Sequence, residues 1–443
     1  MYKIEQGGEE LNSNGGILFI GTILDSLEGL KKIDEMNMET IQRGRTSHSG
    51  ILNSAATLMA LGRNDYADIE YFREDPLFKD VLGLTHVPSE ETLRQRLDDI
   101  AMANETQTLL DDATVEMLSK VDEFGTEKTE YSSYVPLDID VAVQDNSGSH
   151  KEGVSWTYKN VDGYAPIFSY LGTEGYMLAN ELRNGSQHSA KGAVEFGGRA
   201  VDMALRLGIQ ATQLLVRVDS GHDDAKFISM LMDKDVKFLV KRNLRKESPE
   251  QYLAIARRVG DKVKSRKGKN VYRCVLSHIH PNGLEDVPVF MVVEVVERLT
   301  SPDGQELLIP DLDVSTWWTN LPDSEAECVQ LYRDHGTSEQ FHSELKSDMG
   351  VERLPSGKFA TNALVLNLAA LSFNCLRIIG QRALRMTGLL PRTFNVVRRR
   401  LRSVMQDLIH IACKVVSHAN AKTLKFGRNC PWFPVFKEIY AKC

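Results

Sequence analysis

Leu214-Leu215-Val216-Arg217-Val218-Asp219-Ser220-Gly221 is an apolar run that ends on a carboxylate and a Ser-Gly turn. Four apolar residues around a single Arg, closed by turn formers, predict a strand over Leu214 to Val218. Helical spacing predicts a helix from about Ala190 to Leu207 before it and another from about Asp223 to Asp233 after it. Strands alternating with helices indicate an α/β core. Asp219 then stands at the C-terminal edge of a strand, where α/β proteins commonly place functional side chains. The same position also suits a turn or helix-capping residue.

Upstream, Val135 to Val143 alternates around Leu137-Asp138-Ile139-Asp140-Val141, and Tyr164 to Leu171 is a second strand. Side chains at i and i+2 of a strand share a face, so Asp138 and Asp140 point the same way. A carboxylate inside an apolar strand is costly unless it is paired or liganded. Downstream, Tyr332-Arg333-Asp334-His335-Gly336-Thr337-Ser338-Glu339-Gln340-Phe341-His342-Ser343-Glu344-Leu345-Lys346 reads as helix. Tyr332, His335, Glu339, His342 and Lys346 form one stripe on it by the i, i+3, i+4, i+7 rule, whereas Glu344 falls on another face. Carboxylates from two strands and a helix are what two Mg²⁺ ions, roughly 3.5–4 Å apart, require for phosphodiester chemistry. In that arrangement Asp138 or Asp140, Asp219 and Glu339 are the candidate ligands, and Lys346 meets a phosphate.

At 443 residues the chain exceeds one compact core. Residues 1–15, rich in Gly, Glu and Asn, are expected to be a disordered or frayed tail. Residues 16–130 read as a helical DNA-binding or dimerisation region, with Gly62 stopping the helix through Ile51 to Leu61. Ser89 caps a helix carrying Arg94 and Arg96, which a helix-turn-helix would offer to DNA; a helical domain that merely packs is the alternative. The first part of the core spans 131–235, and 236–325 is a β-rich insertion with strands at Lys237 to Lys241, Val271 to Ser277, Val287 to Val296 and Ser315 to Thr319. The Glu339 helix completes the core over 326–360. Residues 361–443 form a basic helical region, with helices expected at Ala360 to Arg382 and Phe394 to Val416.

The net charge of −8 conceals an asymmetry: Val351 to Cys443 holds sixteen Lys and Arg against three Asp and Glu. A basic region of this kind suits a polyanion, and its arginines, Arg398 and Arg399 among them, are candidate DNA contacts, the alternative being a solvated helix surface. Six scattered cysteines without a Cys-x-x-Cys pair fit reduced thiols and give no zinc site. No apolar run reaches the length expected of a membrane span, and no export signal is evident, so a cytoplasmic protein off the membrane is expected.

These motifs together resemble the bacterial insertion-sequence transposases of the DDE type, in the group with a β-insertion before the catalytic Glu and a Tyr-x2-Arg-x3-Glu-x6-Lys signature. Tyr332, Glu339 and Lys346 match its spacing; His335 occupies the Arg position, with Arg333 nearby. Gly62 to Leu97 and Leu354 to Asn374 are similar to the family's helical flanks. The resemblance implies a ribonuclease H-like core, with Asp140, Asp219 and Glu339 holding two Mg²⁺ ions, for which Mn²⁺ can substitute. It implies cut-and-paste transposition by a homodimer bound to terminal inverted repeats and target DNA, in the bacterial cytoplasm at the nucleoid. Tyr332, Arg333, His335 and Lys346 would clamp phosphates, and Trp318, beside Trp317, would stack on an extruded base or else lie in the core. Two rivals stand beside it: a ribonuclease H-like nuclease without strand transfer, and a catalytically silent DNA-binding relative.

Overall fold

The computed structural model describes residues 2–36, 46–281, 283–284, 288–418 and 421–442. Its centre is a mixed sheet whose first five strands are β1 (Ser133–Val141), β2 (Ile167–Leu171), β3 (Tyr176–Glu181), β4 (Leu214–Val218) and β5 (Lys237–Lys241). They lie in the order β3-β2-β1-β4-β5; β1, β4 and β5 are parallel, and on the far side of β1 the strand β2 pairs antiparallel with β1 and β3 pairs antiparallel with β2. That order and those directions are the ribonuclease H-like topology. Every residue of β4 is buried, which explains its near-continuous apolar run: a parallel strand is covered on both faces. The helices Ala193–Arg206 and Ala225–Asp233 make the crossovers into β4 and β5.

Beyond β5 the sheet continues through β6 (Asp261–Arg266), β7 (Lys269–Leu276), β8 (Phe290–Thr300) and β9 (Glu306–Thr319). β9 pairs antiparallel with β5 at Leu239↔Thr319, Val240↔Trp318 and Lys241↔Trp317, so the inserted strands extend the core sheet. Lys237 to Lys241, grouped with the insertion at the sequence level, is therefore the fifth core strand. The strand expected from Val287 runs over Phe290–Thr300, and Val287 itself lies outside the described residues. A helix, Pro249–Val259, also packs on the inserted strands, in a region whose sequence pattern pointed mostly to strands.

The helical flank holds His48–Ala60, Glu90–Ala101 and Thr106–Ser119, packed around the 26-residue helix Phe359–Leu384. Ser47 and Ser89 each accept a backbone N–H as N-caps, and Gly62 ends its helix at φ +71°. Phe359–Leu384 corrects one expectation: it is long and apolar enough by composition to cross a membrane. Its apolar window is nevertheless buried within the protein, where Asn374 exchanges two hydrogen bonds, 2.9 and 2.7 Å, with the backbone of Met177 on the edge strand β3. An edge strand so covered has fewer backbone groups left to recruit another chain.

Two further corrections concern the ends. Leu11–Asn12, expected in a frayed tail, pairs with Cys413–His418, which pairs with Ala421–Phe426 to form a small sheet. The helix expected over Phe394 to Val416 is reduced to Leu401–Val404 with a π turn over Met405–Ile409. Lys414-Val415-Val416 favours a strand once a partner is available, because β-branched residues fit a pleated surface.

Candidate active site

Asp140 near the end of β1, Asp219 just past β4 and Glu339 on the helix Ser338–Ser343 all line one cavity of about 840 Å³. The parallel pairing of β1 and β4 brings the two aspartates to the same end of the sheet. The helical stretch above them changes type three times: α over Glu325–Asp334, 3-10 over His335–Thr337, α over Ser338–Ser343 and π over Glu344–Asp348. Tyr332, His335, Glu339, His342 and Lys346 nevertheless all line the same cavity.

Asp140 accepts from His342 Nε2 at 3.1 Å, from Ser338 Oγ at 3.4 Å and from the Val141 N–H at 2.8 Å. Burial presses its carboxyl toward the neutral form, but the hydrogen bonds it accepts, that from His342 foremost, outweigh this and hold it below the usual carboxylate range. Tyr170 sits 3.0 Å from His342 Nδ1, and burial raises the Tyr170 phenol well above its ordinary value. A phenol that keeps its proton donates to Nδ1, which leaves Nε2–H to donate to Asp140. The tautomer and ring orientation of His342 are thereby fixed.

Asp138, two residues away on the same face, is closed off. Arg217 grips it with two bonds of 2.6 and 2.8 Å, and His335 Nδ1 lies 2.8 Å from the same carboxylate. Arg217 also bonds Glu127 at 2.8 and 2.9 Å and the Leu331 carbonyl at 2.6 Å. Asp138 is 2% exposed. Burial opposes its ionisation, yet the Arg217 guanidinium and His335 hold its pKa below the usual value. Of the two aspartates, Asp140 reaches the cavity and Asp138 does not line it.

Asp219 places one oxygen, Oδ1, in bonds to Gly221 N (3.1 Å) and His222 Nδ1 (2.8 Å), with its side chain about half exposed. Glu339 is exposed and lines both this cavity and the adjoining groove beside Arg398. Burial and the charges of Asp140 and Asp219 push the Tyr158 phenol up to about 12, and burial with Asp219, Asp140 and Asp138 raises Tyr332 still further. Both carboxylates are felt at Tyr158 and at Tyr332. All three candidate ligands offer hard oxygen donors, which suits a divalent cation such as Mg²⁺. Among the described residues no three His, Cys, Asp or Glu side chains stand close enough to enclose an ion. Water and phosphate oxygens would have to complete a shell, as Mg²⁺ ordinarily requires.

The remaining predicted residues divide. Lys346 lines the cavity, donates to the Val143 carbonyl and pairs with Glu352 at 3.6 Å; burial lowers its pKa. Tyr332 packs between Trp317 and His335, each ring centroid 5.5 Å away. Arg333 lines the cavity and pairs with Glu294 at 2.7 Å, whereas His335, expected on a phosphate, is buried against Asp138. Arg94 lies on the helical flank beside Glu91. Arg96 is buried, donating to the Thr46 carbonyl at 3.2 Å and lying 2.8 Å from His48, so it ties the flank together and has no surface to offer DNA. Trp318 is also inside: its indole N–H donates to Asp223 and Arg242 covers its ring. Trp317 is equally buried but lines the cavity, and its N–H has no partner among the described residues. Arg399 is buried against Asp407, Phe394 and Trp432, while Arg398 faces the groove next to Glu339 and bonds Gln340 at 2.6 Å. Much of the C-terminal basic excess is paired internally: Arg377 with Glu344, Arg400 and Arg402 with Asp348, Arg385 with Asp122. Sequence reasoning missed Tyr158, Lys159, Lys241 and Ser338 as cavity residues. The only signal for the first two was the alternation Trp156-Thr157-Tyr158-Lys159.

The family model described as transposase DDE domain group 1 matches residues 2–277 and 294–443. The chain belongs to this family. As a DDE-type transposase it is an enzyme that acts on DNA. No curated protein matches it. Among solved structures, the cryo-EM structure of a piggyBac transposase synaptic complex with hairpin DNA aligns at a TM-score of 0.43 and 10% identity, over 90% of this chain and 79% of that one.

Proposed function

We propose that this transposase cuts DNA at the ends of an insertion sequence and joins the freed end to target DNA, using Asp140, Asp219 and Glu339. The supporting observation is that these three carboxylates, from two adjacent parallel strands and the helix above them, line one cavity. They would hold two Mg²⁺ ions, or Mn²⁺ in their place, and the chemistry such ions supply is activation of the attacking oxygen and neutralisation of the leaving one. His342, held by Tyr170, keeps Asp140 ionised and aimed. Lys346, Lys159 and Lys241 on the cavity wall attract the phosphate backbone. Water attacks the phosphorus at the element's end and the P–O3′ bond breaks, leaving a 3′-OH on the element and a 5′-phosphate on the flank. That 3′-OH then attacks a phosphorus of the opposite strand or of the target, and a second O3′ leaves. Two element ends are handled together, so the active form is a homodimer on paired inverted repeats.

The test is cutting and joining of linear DNA carrying the element's own ends, with Mg²⁺ or Mn²⁺, by the wild type beside Asp219→Ala and Glu339→Ala. Metal-dependent cutting and joining, absent from both variants, is the expected result. Cutting without joining would make the protein a nuclease. Binding of the ends without cutting in either metal would leave a DNA-binding relative and end the catalytic assignment.

A further inference from the structure

Between β1 and β2 the chain forms a small three-stranded sheet of Gln144–Asp145, Asp162–Tyr164 and Ser155–Trp156, closed by the turn Thr157 to Asn160. The turn is well braced: the Thr157 N–H and hydroxyl both donate to the Val161 carbonyl at 2.9 Å, and Asn160, at φ +60°, donates to Thr157 at 3.0 Å. It presents two aromatic rings to solvent, Trp156 at 59% and Tyr158 at 63% exposure. Tyr158 lines the active-site cavity, and its hydroxyl donates to the carbonyl of Val141, the residue after Asp140, at 3.0 Å. The ring is therefore pinned beside the carboxylates with much of its surface uncovered. Lys159 lines the same cavity, its ammonium 6.0 Å from the centre of the Tyr158 ring.

We infer that Tyr158 and Lys159 form a stacking platform for an unpaired nucleobase at the DNA end held in the active site. This rests on the DNA-cutting role proposed above. An exposed aromatic ring stacks on any base, since every base has a π face, but a base inside a duplex is already stacked on both sides. The ligand is therefore a nucleotide that is unpaired or turned out of the helix. Lys159 meets the phosphate next to it, and its charge together with that of Lys346 makes this wall of the cavity attractive to an anion. The tryptophans of the insertion cannot serve in this way, because Trp317 and Trp318 are each only 4% exposed.

The experiment uses the full chain as Asp219→Ala, without divalent metal, so that it reads binding and not cutting. The probes are a blunt duplex ending in the element's terminal sequence and the same duplex with a short single-stranded tail carrying 2-aminopurine. The tailed probe is expected to bind more tightly and its fluorescence to be quenched. Tyr158→Ala should weaken tailed binding by roughly tenfold while leaving blunt binding unchanged. Tyr158→Phe, which keeps the ring, should retain most of the affinity. Lys159→Ala should lower the salt dependence, as the slope of log affinity against log salt, by about 1. Equal binding of both probes by the wild type, or unchanged quenching in Tyr158→Ala, would overturn the platform even if cutting by the wild type is intact. Loss of metal-dependent cutting with the quenching preserved would instead refute the catalytic reading.

Discussion

Asp138 and Asp140 are two residues apart on one face of one strand, and their surroundings give them opposite fates. Asp138 meets a guanidinium held in register on the neighbouring strand, Asp138↔Arg217, and is closed into a buried network with Glu127 and His335. Asp140 meets a histidine and a serine, neither of which carries a fixed charge, and stays open to a cavity that Asp219 and Glu339 share. Both carboxyls are held ionised. One charge is neutralised within the fold, and the other is left for a ligand to neutralise. A partner with permanent charge thus makes a carboxylate structural, whereas neutral donors make it available.

The largest expected effect lies on the open side. Asp140→Ala, Asp219→Ala and Glu339→Ala should each abolish metal-dependent DNA cutting in a gel assay; the exposed Glu339 should change stability by no more than about 0.5 kcal/mol, and the half-exposed Asp219, which caps the turn after it, by about 1 kcal/mol. Stability loss comparable to that of an Asp138 variant would contradict the division. On the closed side, Asp138→Ala leaves Arg217 only partly compensated in the interior, and breaking such a pair costs about 3–5 kcal/mol, measurable by denaturant unfolding. Its pH dependence has a definite sign. The Asp138 pKa is lowered on folding from 3.8, so its stabilisation is fully present above pH 3.8 and is lost as the pH falls through the folded value. The stability gap between wild type and Asp138→Asn should therefore be constant near neutrality and narrow below pH 3.8.

Smaller effects grade the support of Asp140. Removing the imidazole in His342→Ala should raise the Mg²⁺ concentration for half-maximal cutting by roughly 10–100-fold, the usual consequence of losing a group that orients a ligand. Tyr170→Phe should do so more weakly, because it frees the tautomer but keeps the ring. Ser338→Ala removes only the 3.4 Å contact, so a change of about twofold or less is expected in the same titration. A Ser338 effect equal to that of His342 would show that the imidazole is not the main support.

The sequence carried the core plainly where one physical signal dominated. Leu214–Val218 matches its expected bounds because complete burial leaves an unbroken apolar run. The stripe from Tyr332 to Lys346 was legible because helical spacing survives short 3-10 and π interruptions. Strand β9 was read only from Ser315, since Glu306 to Val314 mixes exposed polar residues with Pro310 and gives no clean alternation. The arginines misled for a different reason. Arg96, Arg399 and Arg377 are neutralised or bonded by groups that are remote in sequence or unremarkable in it, such as the Thr46 carbonyl, Asp407 and Glu344. A count of charges cannot distinguish a solvated cation from one folded against its counter-ion. Tyr158 and Lys159 went unnoticed because only the fold brings that turn beside Asp140.

The inserted strands share backbone hydrogen bonds with the core through β5 and β9. An insertion on a loose tether would swing independently to receive a second DNA segment, but one stitched into the same ladder can only twist with the catalytic strands. Any tilt of β9 is carried to β5 and β4, and so to the strand end where Asp219 sits.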